Sequence, residues 1–304
     1  MSEADNLPLR WVLFIVNPIF GINRKPDKII RWIHEIWQSS GIDYEIVKTA
    51  HRGHGTDLAQ EAARAGVDMV VVAGGDGTIN EVGRGLMGSE TALGIIPAGS
   101  GNGFARNIKM PLNQRKAITA LLHPVFKRFD VGKINDHYFF NIAGIGIDAT
   151  ISTQFENSTM RGPLPYFFLA FREFFSYTPQ PVVIHVDGKV IHRKPILLSF
   201  ANLPEFGVNA IIAPRAKPDD GLIDLCILNP LSTTKAVLNL HKLFNGTVDE
   251  VSEVEIIQTS KAVITRKQPG PIHTDGDPHL EDATLTVEVL PRKLRIALKD
   301  PAAG

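Results

Sequence analysis

The sequence predicts two domains: a doubly wound α/β domain with a parallel sheet, then a β-rich sandwich. Three observations carry this. Before Asp130, apolar strand-like runs alternate with stretches of helical period. From Asp130 onward short strands dominate, punctuated by turn signals such as Asp187-Gly188 and Asp220-Gly221. Finally, 304 residues with 44% hydrophobic content exceed one small domain and supply core for two. The expected boundaries are 1–130 and 131–292. The last strand, within 293–304, could complete the first domain or belong to the second.

Each element has its reason. "WVLFIVNP" is a continuous apolar strand ending in a turn, and "KPDKIIRWIHEIW" repeats Ile29, Ile33, Ile36 and Trp37 at helical spacing. "DYEIVKT" reads as a strand, and "GTDLAQEAARAG" as a helix with Thr56 or Asp57 near its N-cap. "DMVVVAGG" and "ALGIIPAG" are strands, "INEVGRGLM" and "NQRKAITALL" helices. Strands apolar throughout are those of a parallel sheet covered on both faces. In the second domain the strands are "KRFDVGKIN", "HYFFNIAGIG", "PVVIHVDGKVIHRK", "PILLSFANL", "LIDLCIL", "EVEIIQT", "KAVITRK" and "ATLTVEVLP", with one helical insert, "YFFLAFREFFSY"; "LRIALK" could belong to either domain.

Composition narrows the function. Lys plus Arg and Asp plus Glu balance at 32 each, so no basic excess points to nucleic acid. The single cysteine, Cys226, forbids an intramolecular disulfide and fits a reducing compartment. The acidic, polar N-terminus does not read as a signal peptide, and no apolar run reaches the ~18 residues of a membrane span. A cytoplasmic location follows, with any membrane contact peripheral.

Four clusters carry chemistry. Gly74, Gly75, Asp76, Gly77 and Thr78 fall between a strand and a helix, with Asn80 and Glu81 following. In an open parallel sheet, ligands bind beyond the carboxyl ends of the strands, where backbone N–H groups and a helix N-terminus attract an anion. The loop suits a phosphate, although a tight strand-to-helix turn needs the same glycines. Gly99, Ser100, Gly101, Asn102 and Gly103 repeat the theme after the next strand, with Arg106 one turn on as a phosphate contact or a surface residue. "GIGIDA" matches a dinucleotide fingerprint only superficially, because it lies where the chain is β-rich. Asp275 and Asp277 flank Gly276; in extended backbone they share a face, while Asp-Gly is also a hairpin turn. The paired His51 and His54 read as a solvated loop, and Trp32 and Trp37 as helix-on-sheet packing.

Taken in order, "VNPIFG", Thr49 before "HGTDLA", "GGDGTINEV", "PAGSGN", "FNIAGIGIDA", "APRAKPDDGLIDL" and "DGD" resemble the diacylglycerol kinase catalytic-domain family, which includes bacterial lipid kinases and sphingosine kinases. The resemblance runs almost end to end. It implies a phosphofructokinase- and NAD-kinase-like first domain and an ATP-dependent lipid kinase acting with Mg²⁺. The acceptor would be a hydroxyl of diacylglycerol or a related lipid, such as a sphingoid base or phosphatidylglycerol. By motif match, Asn17, Thr49, Gly74, Gly75, Asp76, Gly77, Thr78, Asn80, Glu81, Gly99, Ser100, Gly101 and Asn102 become nucleotide contacts. Asp76 joins a metal-linked acidic network, Asp275 becomes the base toward the lipid hydroxyl, and Asp277 stands where the family usually has glutamate. A structural cation turn falls on Lys217, Asp220 and Leu222. Where many bacterial members carry a carboxylate after the second loop this chain has Gly103, closer to the sphingosine-kinase version, which leaves the acceptor open. The implied partners are a lipid substrate, transient peripheral contact with membrane and, as a candidate assembly, a homodimer.

Aromatic residues Tyr166, Phe167, Phe168, Phe171, Phe174, Phe175 and Tyr177 make a broad helical stripe that serves equally as core, acyl-chain pocket or membrane contact. Two other functions stay open: an NAD-kinase-like enzyme, which shares the GGDGT loop, and a non-catalytic lipid- or nucleotide-binding protein on the same fold.

Overall fold

The computed structural model describes residues 8–19, 26–156, 173, 176–207 and 209–302. The chain divides into two compact units, 1–129 with 292–304, and 130–291.

In the first unit, strands β1 (Trp11–Val16), β2 (Asp43–Lys48), β3 (Met69–Gly74) and β4 (Ala92–Pro97) lie side by side in the order β2-β1-β3-β4, all parallel. The end of the final strand, β16 (Thr284–Lys299), joins in parallel beside β4, with Ile296 against Leu93. β1, β3 and β4 are buried almost throughout, as strands covered on both faces must be. Helix α1 (Pro26–Trp37) turns Ile29, Ile33 and Trp37 inward, and Trp37 meets Phe14 edge to face at 5.0 Å. Each such fully buried side chain contributes about 1.5–3 kcal/mol. Trp32 stays at the surface side of this helix, beneath the Lys28 ammonium.

Helices α2 (His54–Ala65) and α3 (Asp76–Leu86) pack closely. A Cβ on Gly85 would lie 2.5 Å from the Thr56 carbonyl oxygen and 2.6 Å from Ala59 Cβ. Both helices begin earlier than the sequence indicates. α2 starts at His54 behind Gly53 rather than at Thr56, and α3 starts at Asp76, so half of the glycine loop is its first turn. Short helices α4 (Gly103–Asn107) and α5 (Gln114–Ala120) complete this unit.

In the second unit, two sheets enclose one apolar core. The remaining strands are β5 (Pro124–Ile134), β6 (His137–Phe139), β7 (Ile142–Gly146), β8 (Val182–Val186), β9 (Lys189–Arg193), β10 (Leu197–Ala201), β11 (Ile223–Leu228), β12 (Val254–Thr259), β13 (Lys261–Arg266), β14 (Gly270–Thr274) and β15 (Asp277–Glu281). The first half of β16 pairs with β13, then β8 and β9 follow. The other sheet runs β12-β11-β10-β7-β14-β15, all antiparallel. Phe139, Ile145, Leu198, Phe200, Leu225 and Ile272 meet Ile184, Ile264, Leu285 and Val287 between the sheets.

Several elements differ from expectation. "HYFFNIAGIG" is two strands, because the Phe140 and Asn141 amides leave the ladder for the Asp275 carboxylate. "ATLTVEVLP" and "LRIALK" form one strand through Pro291. Helices α6 (Ile147–Glu156) and α7 (Thr233–Asn245) lie where the sequence shows none. Yet α7 carries legible caps: Ser232 accepts the Lys235 amide and Gly246 closes the helix left-handed. It buries no residue, so its apolar pattern was not a core signal. The aromatic stripe lies outside the described residues except at Tyr177, which packs against the cluster of Ile147, Ile151 and Ile196.

Two buried groups on β11 have shifted acidity. Cys226 is 3% exposed, and burial pushes its thiol far up. Asp224 is 3% exposed; desolvation raises its carboxyl to about 6, opposed by a Gln258 hydrogen bond and reinforced by Asp220.

Two predictions follow from this packing. Gly85→Ala, normally favourable in a helix, will destabilise by about 1–3 kcal/mol in chemical denaturation, because the added methyl overpacks α2 against α3. Asp224 binds its proton more tightly folded than unfolded. Its favourable contribution is therefore complete below about pH 4 and lost as pH rises through about 6. In melts across that window, Asp224→Asn will flatten the decline and be more stable than wild type at neutral pH.

Candidate active site

In the first unit the strand ends form a row. Val16 pairs with Lys48 and Ala73, and Gly74 with Pro97, so the residues just beyond emerge at one edge. The Thr49 amide donates to the Val16 carbonyl and the Asn17 amide to that of Ala73. Asn17 Nδ2 then donates to Thr78 Oγ1 at 2.8 Å, and the Thr78 side chain lies over Gly74, where a Cβ would be 2.7 Å from Thr78 Cβ.

The two glycine loops touch backbone to backbone. A Cβ on Gly99 would stand 2.6 Å from Gly75 Cα, and one on Gly75 would stand 3.1 Å from Gly99 Cα. Asn102, left-handed at φ 51°, accepts the Gly99 amide on Oδ1 at 2.8 Å. Asp76 spans the loops: Oδ2 accepts the Gly103 amide at 3.2 Å and Oδ1 the Phe104 amide at 3.1 Å. Burial pushes the Asp76 carboxyl above its ordinary range, and these amides oppose the rise. Arg106 Nε donates to the Gly101 carbonyl, so this guanidinium braces the loop from within.

Gly77 differs from its neighbours. It is exposed, lies in the first turn of α3, and a Cβ there would meet nothing within 4 Å. At Gly74 and Gly99 protein fills the space a side chain would need, whereas Gly77 opens outward.

Glu81 points elsewhere. Glu81 accepts the Gly53 amide on Oε1 at 2.9 Å and the Gly55 amide on Oε2 at 3.3 Å, and its carbonyl accepts the Thr56 hydroxyl. It serves as the N-terminal cap that α2 lacks in its own sequence. Asn80 is buried at 4% exposure. His54 belongs to α2 and accepts the Ala50 amide on Nδ1; it is not part of a solvated loop.

In the second unit, Asp275 and Gly276 are the two central residues of the hairpin joining β14 to β15, with φ 52° and 93°. The backbone there is a turn of the Asp-Gly type, not extended. The Asp275 carboxylate turns back to accept the amides of Asn141 at 2.8 Å, Phe140 at 2.9 Å and Ile142 at 3.1 Å. Its own amide returns to the Ile142 carbonyl. Asp277 opens β15 opposite Thr274.

A chain of polar contacts leads from this hairpin to the turn bearing Lys217, Asp220 and Leu222. Asn202 Nδ2 donates to the carbonyls of Phe140 and Asp130. Asp130, 1% exposed, accepts the Gly221 amide at 2.7 Å, and its amide donates to the Pro218 carbonyl. Asp220 accepts the Leu222 amide at 3.0 Å. Asn202 and Asp130 escaped sequence reasoning because their partners lie 62 to 91 residues away, with no local pattern to mark them. Among the described residues no three His, Cys, Asp or Glu side chains gather as a metal cage.

The model of the diacylglycerol kinase catalytic domain matches residues 11–134, and that of a YegS C-terminal NAD kinase beta sandwich-like domain matches 141–298. A probable lipid kinase YegS-like protein of Chromohalobacter salexigens is 32% identical over 83% of this chain and 82% of its own. The diacylglycerol kinase of Bacillus subtilis is 29% identical over 79% and 81%. A crystal structure of a diacylglycerol kinase from Bacillus anthracis shares the fold at TM-score 0.76 and 24% identity, covering 98% of this chain and all of the other. The glycine loops, the Asp-Gly-Asp hairpin and these matches over both units make the chain a member of the diacylglycerol kinase catalytic-domain family.

Proposed function

We propose that this protein is an ATP-dependent lipid kinase that transfers the γ-phosphoryl group to a hydroxyl of diacylglycerol or a related lipid such as a sphingoid base or phosphatidylglycerol. One observation carries the reading: Gly77, with no protein neighbour to exclude a side chain, lies open in the first turn of an eleven-residue helix. Backbone N–H groups and the helix dipole make that position attractive to a phosphate. Asn17, Thr49, Gly74–Thr78 and Gly99–Asn102 line the same strand ends, with Asn80 and Glu81 supporting them from behind.

Phosphoryl transfer needs positioning and charge neutralisation more than covalent help. The loops would hold the polyphosphate, and Asp76, raised by burial, gains from a cation beside it. Mg²⁺ is typically held by one or two carboxylates together with substrate phosphates and water. Asp76 would be the residue to hold it, and the ion would supply charge neutralisation on the phosphates. Asp275, its carboxylate oriented by three amides, takes the role of accepting the lipid hydroxyl proton, with Asp277 one residue beyond the turn as its partner. Lys217, Asp220 and Leu222 form the turn proposed for a structural cation. A lipid acceptor makes the surface of a membrane the place of work. No helix among the described residues is long and apolar enough to cross one.

Labelled phosphate transfer from ATP·Mg²⁺ to a panel of diacylglycerol, monoacylglycerol, phosphatidylglycerol, sphingosine and ceramide in mixed micelles tests this, with NAD as outgroup. A labelled lipid that disappears with Asp275→Asn is the expected result; label on NAD alone would replace the lipid reading. Gly77→Ala separates ligand space from packing. It will keep or raise stability, by up to about 1 kcal/mol for glycine to alanine in a helix. It will also raise KM for ATP about tenfold, equivalent to ~1.4 kcal/mol. Gly99→Ala, by contrast, will lose stability, because its Cβ would stand 2.6 Å from Gly75 Cα.

A further inference from the structure

A buried polar cluster adjoins the Asp275 hairpin. Ser199 on β10, Gly144 on β7 and His273 on β14 stand in one cross-strand row, because Gly144 pairs with both of the others. Asp148, in the first turn of α6, lies over the gap that Gly144 leaves. A Cβ there would be 2.0 Å from Asp148 Oδ2. That oxygen accepts the Ser199 hydroxyl at 2.8 Å and meets His273 Nε2 at 3.1 Å, while Oδ1 accepts the Ala149 amide. Ser199, His273 and Asp148 are 0%, 2% and 4% exposed.

The arrangement is not a nucleophile with its base. The serine hydroxyl donates to the carboxylate and not to the imidazole, and it is fully buried. A carboxylate only accepts, so the His273 ring carries a hydrogen on Nε2 and donates it there. Among the described residues His273 Nδ1 is one of two buried side-chain polar atoms without a partner, the other being Asn202 Oδ1. An unmet buried polar atom opposes folding. A residue needed only for bulk would not bring one, so the useful atom is Nε2.

The location gives that atom a purpose. Asp275 follows His273 by two residues, and its carboxylate must reach the Phe140, Asn141 and Ile142 amides at the start of β7. The Asp148 carboxylate ties His273 on β14 to Ser199 on β10 across Gly144 of β7, one pair before Thr274 and Ala143. We infer that Asp148, His273 and Ser199 form a clamp that positions Asp275 for the reaction, acting through the hairpin and not on substrate. This rests on the role proposed for Asp275 above.

Side-chain geometry supplies the test. Glutamine places an N–H where His273 Nε2 sits, whereas asparagine places one nearer Nδ1. His273→Gln will keep kcat within about threefold of wild type. His273→Asn and Asp148→Asn will lower it about 10- to 100-fold, the range for a catalytic group displaced by about 1 Å, with KM for ATP and lipid unchanged within twofold. Hydrogen exchange followed by mass spectrometry will be faster over 140–142 and 274–277 in His273→Asn than in His273→Gln, with melting temperatures of the two alike. Equal kcat and equal exchange in the two histidine variants would overturn the clamp, as would activity lost only in step with stability. Should wild type label no lipid, the kinase reading falls by itself. The exchange comparison then decides the clamp: faster exchange in His273→Asn supports it, and equality refutes it.

Discussion

The backbone contact between Gly75 and Gly99 sets the geometry of the first unit's site. Adjacent parallel strands deliver two loops to one edge, and the loops meet so closely that a Cβ on Gly99 would overlap the Gly75 backbone. Because they meet, Asp76 at the head of α3 reaches the amides that begin α4, and Asn102 folds back on Gly99. The close approach also explains the cost in Asp76: its carboxyl is enclosed by the surfaces that orient it, and it ionises less readily as a result.

Much of this was legible. Apolar runs of six residues alternating with helical periods marked the parallel sheet, and Asp187-Gly188 marked the β8–β9 hairpin of the second unit. The glycine loops and the Asp-Gly-Asp segment stood out by composition. What those residues do to one another was not legible. Sequence cannot separate a glycine emptied for a ligand, as argued for Gly77, from one emptied for a neighbouring chain, as at Gly99. Glu81 read as a loop acid, and its task of capping α2 depends on a contact 28 residues back. Asp275 in an extended strand and Asp275 in a turn share one local sequence, and the three amides that receive it come from more than 130 residues away.

The second unit divides its labour between its faces. The space between the sheets is filled with Ile, Leu, Val and Phe, which fixes the sandwich without directional bonds. The opposite face of the β10-β7-β14 sheet carries Asp148 with its three donors, and just past the end of β10 Asn202 joins Phe140 to Asp130, which holds the turn at Gly221. Apolar packing holds the sheets together, and hydrogen bonds of defined direction hold individual residues.

Cys226 has a practical consequence. The chain's sole thiol is enclosed on β11, donates to the Ile212 carbonyl, and is disfavoured as a thiolate. Thiolate is the reactive form, so maleimide reagents will pass it by in the native protein. The wild-type sequence is therefore already a silent background for single-site labelling. A cysteine introduced at an exposed position can take a fluorophore or spin label without first removing the natural one.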